Sequence, residues 1–248
     1  MRCRLRWWLS RQGPAVERSG GTLPQLTGLA VHDAWEKFLQ CPPEQRSLDL
    51  LRANVVLKWD ELQFETAAKG KDTARENSLK MVEQYWAEFG NDAGLDTKQT
   101  EQTLSLPFGA DSVEARLDKL QGTDIHELKT TGSAPRSPAS YLYFNPQIRI
   151  QGLLVKELIG WPTAYVTVLW PTGAVRWQRE FTEDELDLTK RDLKRALDEI
   201  RAGDIYAHES FLCNGCYFEN YCIGRLMGGL TTGKESGIVV EPKEGSDD

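Results

Sequence analysis

No run of the 248-residue chain approaches the ~20 consecutive apolar residues that a membrane-crossing helix needs. The basic start Met1-Arg2-Cys3-Arg4 leads into no sustained apolar stretch of a secretion signal, so the chain is expected in the cytoplasm. A motor is missing too: there is no G-x-x-x-x-G-K-S/T loop to cradle nucleotide phosphates, and no internal repeat is visible. Positive charge is short overall. With 30 Lys and Arg against 37 Asp and Glu, the formal net charge of −7 argues against a protein that coats nucleic acid over its whole surface. It leaves room for a local basic groove, and the charge is polarised. Arg2, Arg4, Arg6, Arg11 and Arg18 near the start stand against the single acid Glu17, whereas Glu241 to Asp248 form an acidic tail. Cysteines are few, 5 in all, and a cytoplasmic compartment keeps thiols reduced. A disulfide framework is therefore disfavoured, and spacing has to explain them.

What is present suffices for an ordinary core: 40% of the residues are hydrophobic. Leu29, Val31, Trp35, Phe38 and Leu39 recur at helical intervals and predict a helix over 28–40, ending before Cys41-Pro42-Pro43. A second helical region is expected from Leu48 to Phe89, followed by a loop from Gly90 to Gly94. The character then changes. Thr103 to Leu106, the alternating Val113, Ala115 and Leu117, and Asp124 to Lys129 after a Gly122 turn read as successive antiparallel strands. Past the loop Gly132 to Pro138, an amphipathic helix is expected over 147–159, with Ile148, Leu153, Leu154 and Leu158 facing inward. Strands follow at Ala164 to Trp170 and Val175 to Arg179, and Thr182 to Glu185 forms a capping box that opens a charged helix to about Ala202. The expected organisation is a single domain over 1–226, with a helical part (1–95), a core (96–202) and a cysteine cap (203–226), then a flexible acidic tail (227–248).

Glu127 and Lys129 are two apart on a predicted strand, so the period of two turns both side chains to one face. Asp118 closes the strand before, and a hairpin brings it alongside. Two acids beside a lysine suit phosphodiester hydrolysis: carboxylate oxygens hold Mg²⁺ or Mn²⁺, and an ammonium orients water and offsets developing charge. On its own an Asp…Glu-x-Lys pattern reads more readily as a surface salt bridge.

The order of elements decides between these readings. A strand, a strand ending in Ala115-Arg116-Leu117-Asp118, a strand bearing Glu127-Leu128-Lys129 and then a helix resembles the PD-(D/E)XK nucleases, although that family often has glycine where Ala115 stands. Gly28-Leu29-Ala30-Val31-His32 is similar to the G-x-x-h-H pattern of the RecB-like branch, in which the histidine is a metal ligand. That branch commonly carries Q-x-x-x-Y after the E-x-K strand. Here Gln147 keeps the glutamine and Gln151 replaces the tyrosine, so Gln147 is the stronger site candidate, with Tyr141 or Tyr143 available for the aromatic role.

Cys213-Asn-Gly-Cys216 and Cys222 make a C-x2-C-x5-C triplet, close enough to surround one metal centre. Spacing alone leaves zinc and an iron–sulfur cluster open. The resemblance implies a 4Fe-4S cluster, as in CRISPR-associated RecB-like exonucleases and AddB-type nuclease domains, with a fourth ligand from the N-terminal side. Cys3 fits the family order ahead of His32, and Cys41 is the rival.

The resemblance implies an α/β, restriction-endonuclease-like core with a mixed central sheet flanked by helices and a C-terminal cysteine cap. It implies a metal-dependent DNA exonuclease in repair, recombination or CRISPR spacer acquisition. His32, Asp118 and Glu127 would hold the metal, the Leu128 carbonyl would contribute, and Lys129 would position the water. Arg4, Arg6, Arg136 and Arg149 are assigned to phosphates and Trp7 or Trp8 to an unpaired base. Expected partners are single-stranded DNA or DNA ends, with CRISPR integration or recombination proteins. The alternative is a non-catalytic iron–sulfur or zinc nucleic-acid-binding module.

Overall fold

Thr22 opens the first helix: its N–H donates to Gln25 Oε1 at 2.9 Å, and Pro24 occupies a first-turn position where no N–H is needed. This cap lies upstream of the apolar period, which is why α1 (Leu23–Gln40) starts ahead of residue 28. The computed structural model describes residues 22–62 and 70–202. Val31, Trp35, Phe38 and Leu39 are buried on α1, whereas Leu29 is turned toward solvent.

The helical stretch expected from Leu48 to Phe89 is two helices, α2 (Leu48–Glu61) and α3 (Lys71–Phe89). Ser47 caps the first, accepting the Leu50 N–H at 3.1 Å, and Gly70, at a left-handed φ of 97°, precedes the second. The three helices share an aromatic core in which Trp35 and Phe38 meet Tyr85 edge-on, at ring separations of 6.3 and 5.9 Å. Arg46 fastens the end of α1 to the segment leading into the sheet, donating to the carbonyls of Leu39, Cys41, Asp92 and Leu95.

The sheet has five strands: β1 (Thr100–Phe108), β2 (Asp111–Gln121), β3 (Asp124–Thr130), β4 (Thr163–Trp170) and β5 (Gly173–Glu180), in that spatial order. All neighbours are antiparallel except β3 and β4, which run parallel. A parallel pair needs a crossover. The short helix α4 (Ala139–Leu142) and α5 (Pro146–Leu158) supply it. Leu128 of β3 and Leu169 of β4 complete the core of α1, α2 and α3, while the adjacent Glu127 and Lys129 meet α5. Helices therefore cover both faces, the mixed α/β architecture expected.

Ile148, Leu153 and Leu154 of α5 are buried. Leu158 is not: it is 43% exposed because α5 ends there, and Ile159 and Trp161 beside it are exposed with it. Gly152 lets α5 approach closely, since a Cβ there would lie 2.5 Å from the ring of Phe181. The last helix, α6 (Glu183–Arg201), starts at the expected capping box. The Thr182 N–H donates to Glu185 Oε2 at 3.1 Å and the Glu185 N–H to Thr182 Oγ1 at 3.3 Å. Among the described residues no helix is long and apolar enough to cross a membrane.

Candidate active site

The backbone ladder between β2 and β3 runs from Gln121↔Asp124 to Lys119↔His126 and stops there. The next positions along the two strands are Asp118 and Glu127. Asp118 Oδ2 accepts the Leu128 N–H at 2.8 Å, a side-chain bond where the strand bonds have ended. Glu127 and Lys129 share a face of β3, as a two-residue period requires. The Lys129 ammonium donates to Glu127 Oε1 and, at 2.8 Å, to Gln147 Oε1. Gln147 Nε2 donates to the same Glu127 oxygen at 2.7 Å. One turn further along α5, Gln151 Nε2 donates to Glu127 Oε2 at 2.8 Å. Glu127 is 1% exposed and thus held on both oxygens.

His32 reaches the cluster from α1, with Nδ1 3.5 Å from Asp118 Oδ2. Gly28, one turn earlier, permits that approach: a Cβ there would stand 3.1 Å from Thr130 Oγ1. Glu101 enters from β1 and pairs with Arg116 of β2. Its φ of 52° is left-handed, a conformation uncommon for a residue with a side chain. The pairs Thr100↔Lys119 and Gln102↔Leu117 set Glu101 opposite Asp118. Ligand atoms of His32, Glu101 and Asp118 all lie within 4.8 Å of one another.

The electrostatics favour a cation here. Burial, then the charge of Asp118, pushes the Glu127 carboxyl above its ordinary range, and the same two causes raise Glu101. Burial works against a charged His32 ring, but the hydrogen bond and charge of Asp118, joined by Glu127, outweigh it and hold the imidazole above its usual value. Crowded carboxylate oxygens with one imidazole nitrogen form a donor set suited to Mg²⁺ or Mn²⁺. The residues fit such an ion.

Asp118, Glu127, Lys129, Gln147 and His32 are brought together. Glu101 and Gln151 join them without having been singled out as site residues by the sequence. Glu101 could have been found by counting back across the β1–β2 hairpin from Asp118. Arg136 is exposed in the segment between β3 and α4. Arg149 instead faces α6, donating to Thr189 Oγ1 at 3.1 Å and Asp192 Oδ2 at 3.2 Å. Tyr141 packs on Trp177 and Tyr143 lies under the Arg179 guanidinium. Cys41 caps α1, its thiol donating to the Lys37 carbonyl at 3.4 Å. Cys3, Arg4, Arg6, Trp7, Cys213, Cys216 and Cys222 lie outside the described residues.

Known proteins resemble the chain in fold and in family. Among solved structures, a crystal structure named "Putative exonuclease" from Eubacterium rectale is 13% identical, with a TM-score of 0.49 over 79% of this chain and 74% of that one. The crystal structure of SSO0001 is 15% identical, with a TM-score of 0.38 over 88% and 92%. No curated protein matches. The family model described as the PD-(D/E)XK nuclease superfamily matches residues 1–223, and the mixed five-stranded sheet flanked by helices is consistent with that fold. The chain belongs to the PD-(D/E)XK nuclease superfamily.

Proposed function

We propose that the chain is a metal-dependent DNA exonuclease that hydrolyses phosphodiester bonds in single strands or at DNA ends. The observation that carries this reading is the meeting of His32, Glu101 and Asp118 beside the Glu127–Lys129–Gln147 cluster where β2 and β3 part. His32, Glu101 and Asp118, with Glu127 next to them, are the residues to hold Mg²⁺ or Mn²⁺, which when bound supplies Lewis acidity at the phosphate. Lys129 has three N–H groups, and its bonds to Glu127 and Gln147 leave one to orient water or a phosphate oxygen. Gln147 keeps the ammonium and the carboxylate in register by bonding both. Arg136, exposed nearby in sequence, offers a phosphate contact.

Repair, recombination or CRISPR spacer acquisition is the setting, with integration or recombination proteins as partners. Cys213, Cys216, Cys222 and Cys3 are assigned to a 4Fe-4S cluster. Family membership supports nuclease chemistry; the cysteine spacing supports a thiolate-held metal centre, and the resemblance to the RecB-like branch favours iron–sulfur over zinc.

The test is degradation of end-labelled single-stranded DNA by anaerobically purified protein with Mn²⁺ or Mg²⁺. Asp118→Ala and Lys129→Ala are each expected to cut activity by ~100-fold or more while the fold is retained. Absence of cleavage by the metal-loaded parent on every strand form would favour a non-catalytic nucleic-acid-binding module.

A further inference from the structure

Gln151 is fully buried in α5, at 0% exposure. Its Nε2 donates twice, to Glu127 Oε2 at 2.8 Å and to the Arg116 carbonyl at 2.9 Å. Both partners are acceptors, so only the NH₂ end of the amide can face them, and the amide has one usable orientation. The other end gains nothing from this: Gln151 Oε1 is buried without a hydrogen-bond partner. A buried acceptor left alone is unfavourable, so the placement of this side chain is governed by its two donated bonds.

Those bonds fall where the sheet is incomplete. β2 and β3 pair no further than Lys119↔His126, although β2 stays paired to β1 and β3 stays paired to β4 beyond that point. Parting strands leave buried backbone groups that need other partners. Asp118 Oδ2 takes the Leu128 N–H, and Gln151 serves the Arg116 carbonyl of β2 while gripping Glu127 of β3. Gln147 and Lys129 hold the other Glu127 oxygen. A tyrosine, which the resembling pattern carries at this position, has one hydroxyl proton and cannot donate to both acceptors at once.

We infer that Gln151 is a positioning residue: it sets the separation of β2 and β3 at the site and aims the Glu127 carboxylate. The inference rests on the nuclease reading for its effect on turnover, but not for its effect on metal binding.

Gln151→Leu keeps the approximate volume and removes both donors. Mn²⁺ is titrated calorimetrically into the DNA-free parent and variant, and kcat and KM are measured on end-labelled single-stranded DNA at saturating metal. The expected result is a Kd for Mn²⁺ raised ~10-fold or more, a kcat lowered ~10- to 100-fold, and a KM for DNA nearly unchanged. Gln151→Glu, which sets a third acceptor against the two, is expected to lose more. If the leucine variant fails to fold by circular dichroism, Gln151→Met, whose unbranched chain follows the glutamine stem, carries the same expectation. Parental Mn²⁺ affinity and parental kcat in a folded leucine or methionine variant would overturn the inference. An inactive parent would overturn the nuclease reading instead, and the metal titration alone would then decide the role of Gln151.

Discussion

His126 occupies the last backbone pair before β2 and β3 part, and it is a poor place for a positive charge. The ring is buried and stacked on Tyr165 at 4.8 Å, and its Nδ1 has no hydrogen-bond partner. Burial, then the charge of Arg176, pushes its pKa down from 6.5 to about 4. Above 6.5 the ring is neutral folded or unfolded, and it contributes no pH dependence. As pH falls below 6.5 the unfolded chain takes a proton that the folded chain refuses, so stability declines until pH nears 4. The parent is expected to lose about 2 kcal/mol from this residue between neutral pH and about pH 5. His126→Phe, which keeps a flat ring against Tyr165, should remove that part of the decline. Urea unfolding at the two pH values measures the difference, and an equal acid loss in both proteins would mean that other groups carry it.

Among the elements, α5 joins packing to chemistry most directly, because the helix that bears Gln147 and Gln151 also bears Gly152. Gly152→Ala would drive a methyl group into Phe181, a ring that is itself buried and covered by the Arg179 guanidinium 4.3 Å away. A ring packed under that guanidinium resists swinging aside, so the helix is expected to shift and carry both glutamines with it. A destabilisation of about 1–3 kcal/mol by thermal unfolding is expected, together with a fall in kcat at saturating metal. A parental melting temperature would show that Phe181 yields instead. Much at this scale was legible in the sequence: β1 to β5, the capping box of α6 and the shared face of Glu127 and Lys129 all follow from local period and turn chemistry. The break between α2 and α3 was not, nor the early start of α1, since each depends on caps outside the apolar pattern. Glu101 and Gln151 escaped for a different reason. A strand read as beginning at Thr103 leaves Glu101 outside it, and nothing in the residue type signals its left-handed φ. Nothing local in a glutamine on a helix announces that two strands separate beneath it.

For the molecule as a whole, the proposed cluster ties Cys3 to Cys213, Cys216 and Cys222 across roughly 200 residues, a closure that favours the folded state entropically. Cys3→Ser is expected to lose iron and visible charge-transfer absorption and to lower the melting temperature. Cys41→Ser, which only removes a thiol already bonded within α1, is expected to retain all three. Iron analysis of the two anaerobically purified variants distinguishes them, and the reverse outcome would assign Cys41 as the ligand. The strand at the centre of the molecule has a further consequence. Leu128 puts its side chain into the helical core and its N–H on Asp118, while the residues on either side of it serve the site. Glu127, Leu128 and Lys129 therefore have almost no independent freedom to drift. A change that refits the core at Leu128 is expected to move both neighbours with it, so tolerance to substitution should be lowest where the interior and the candidate site share a backbone.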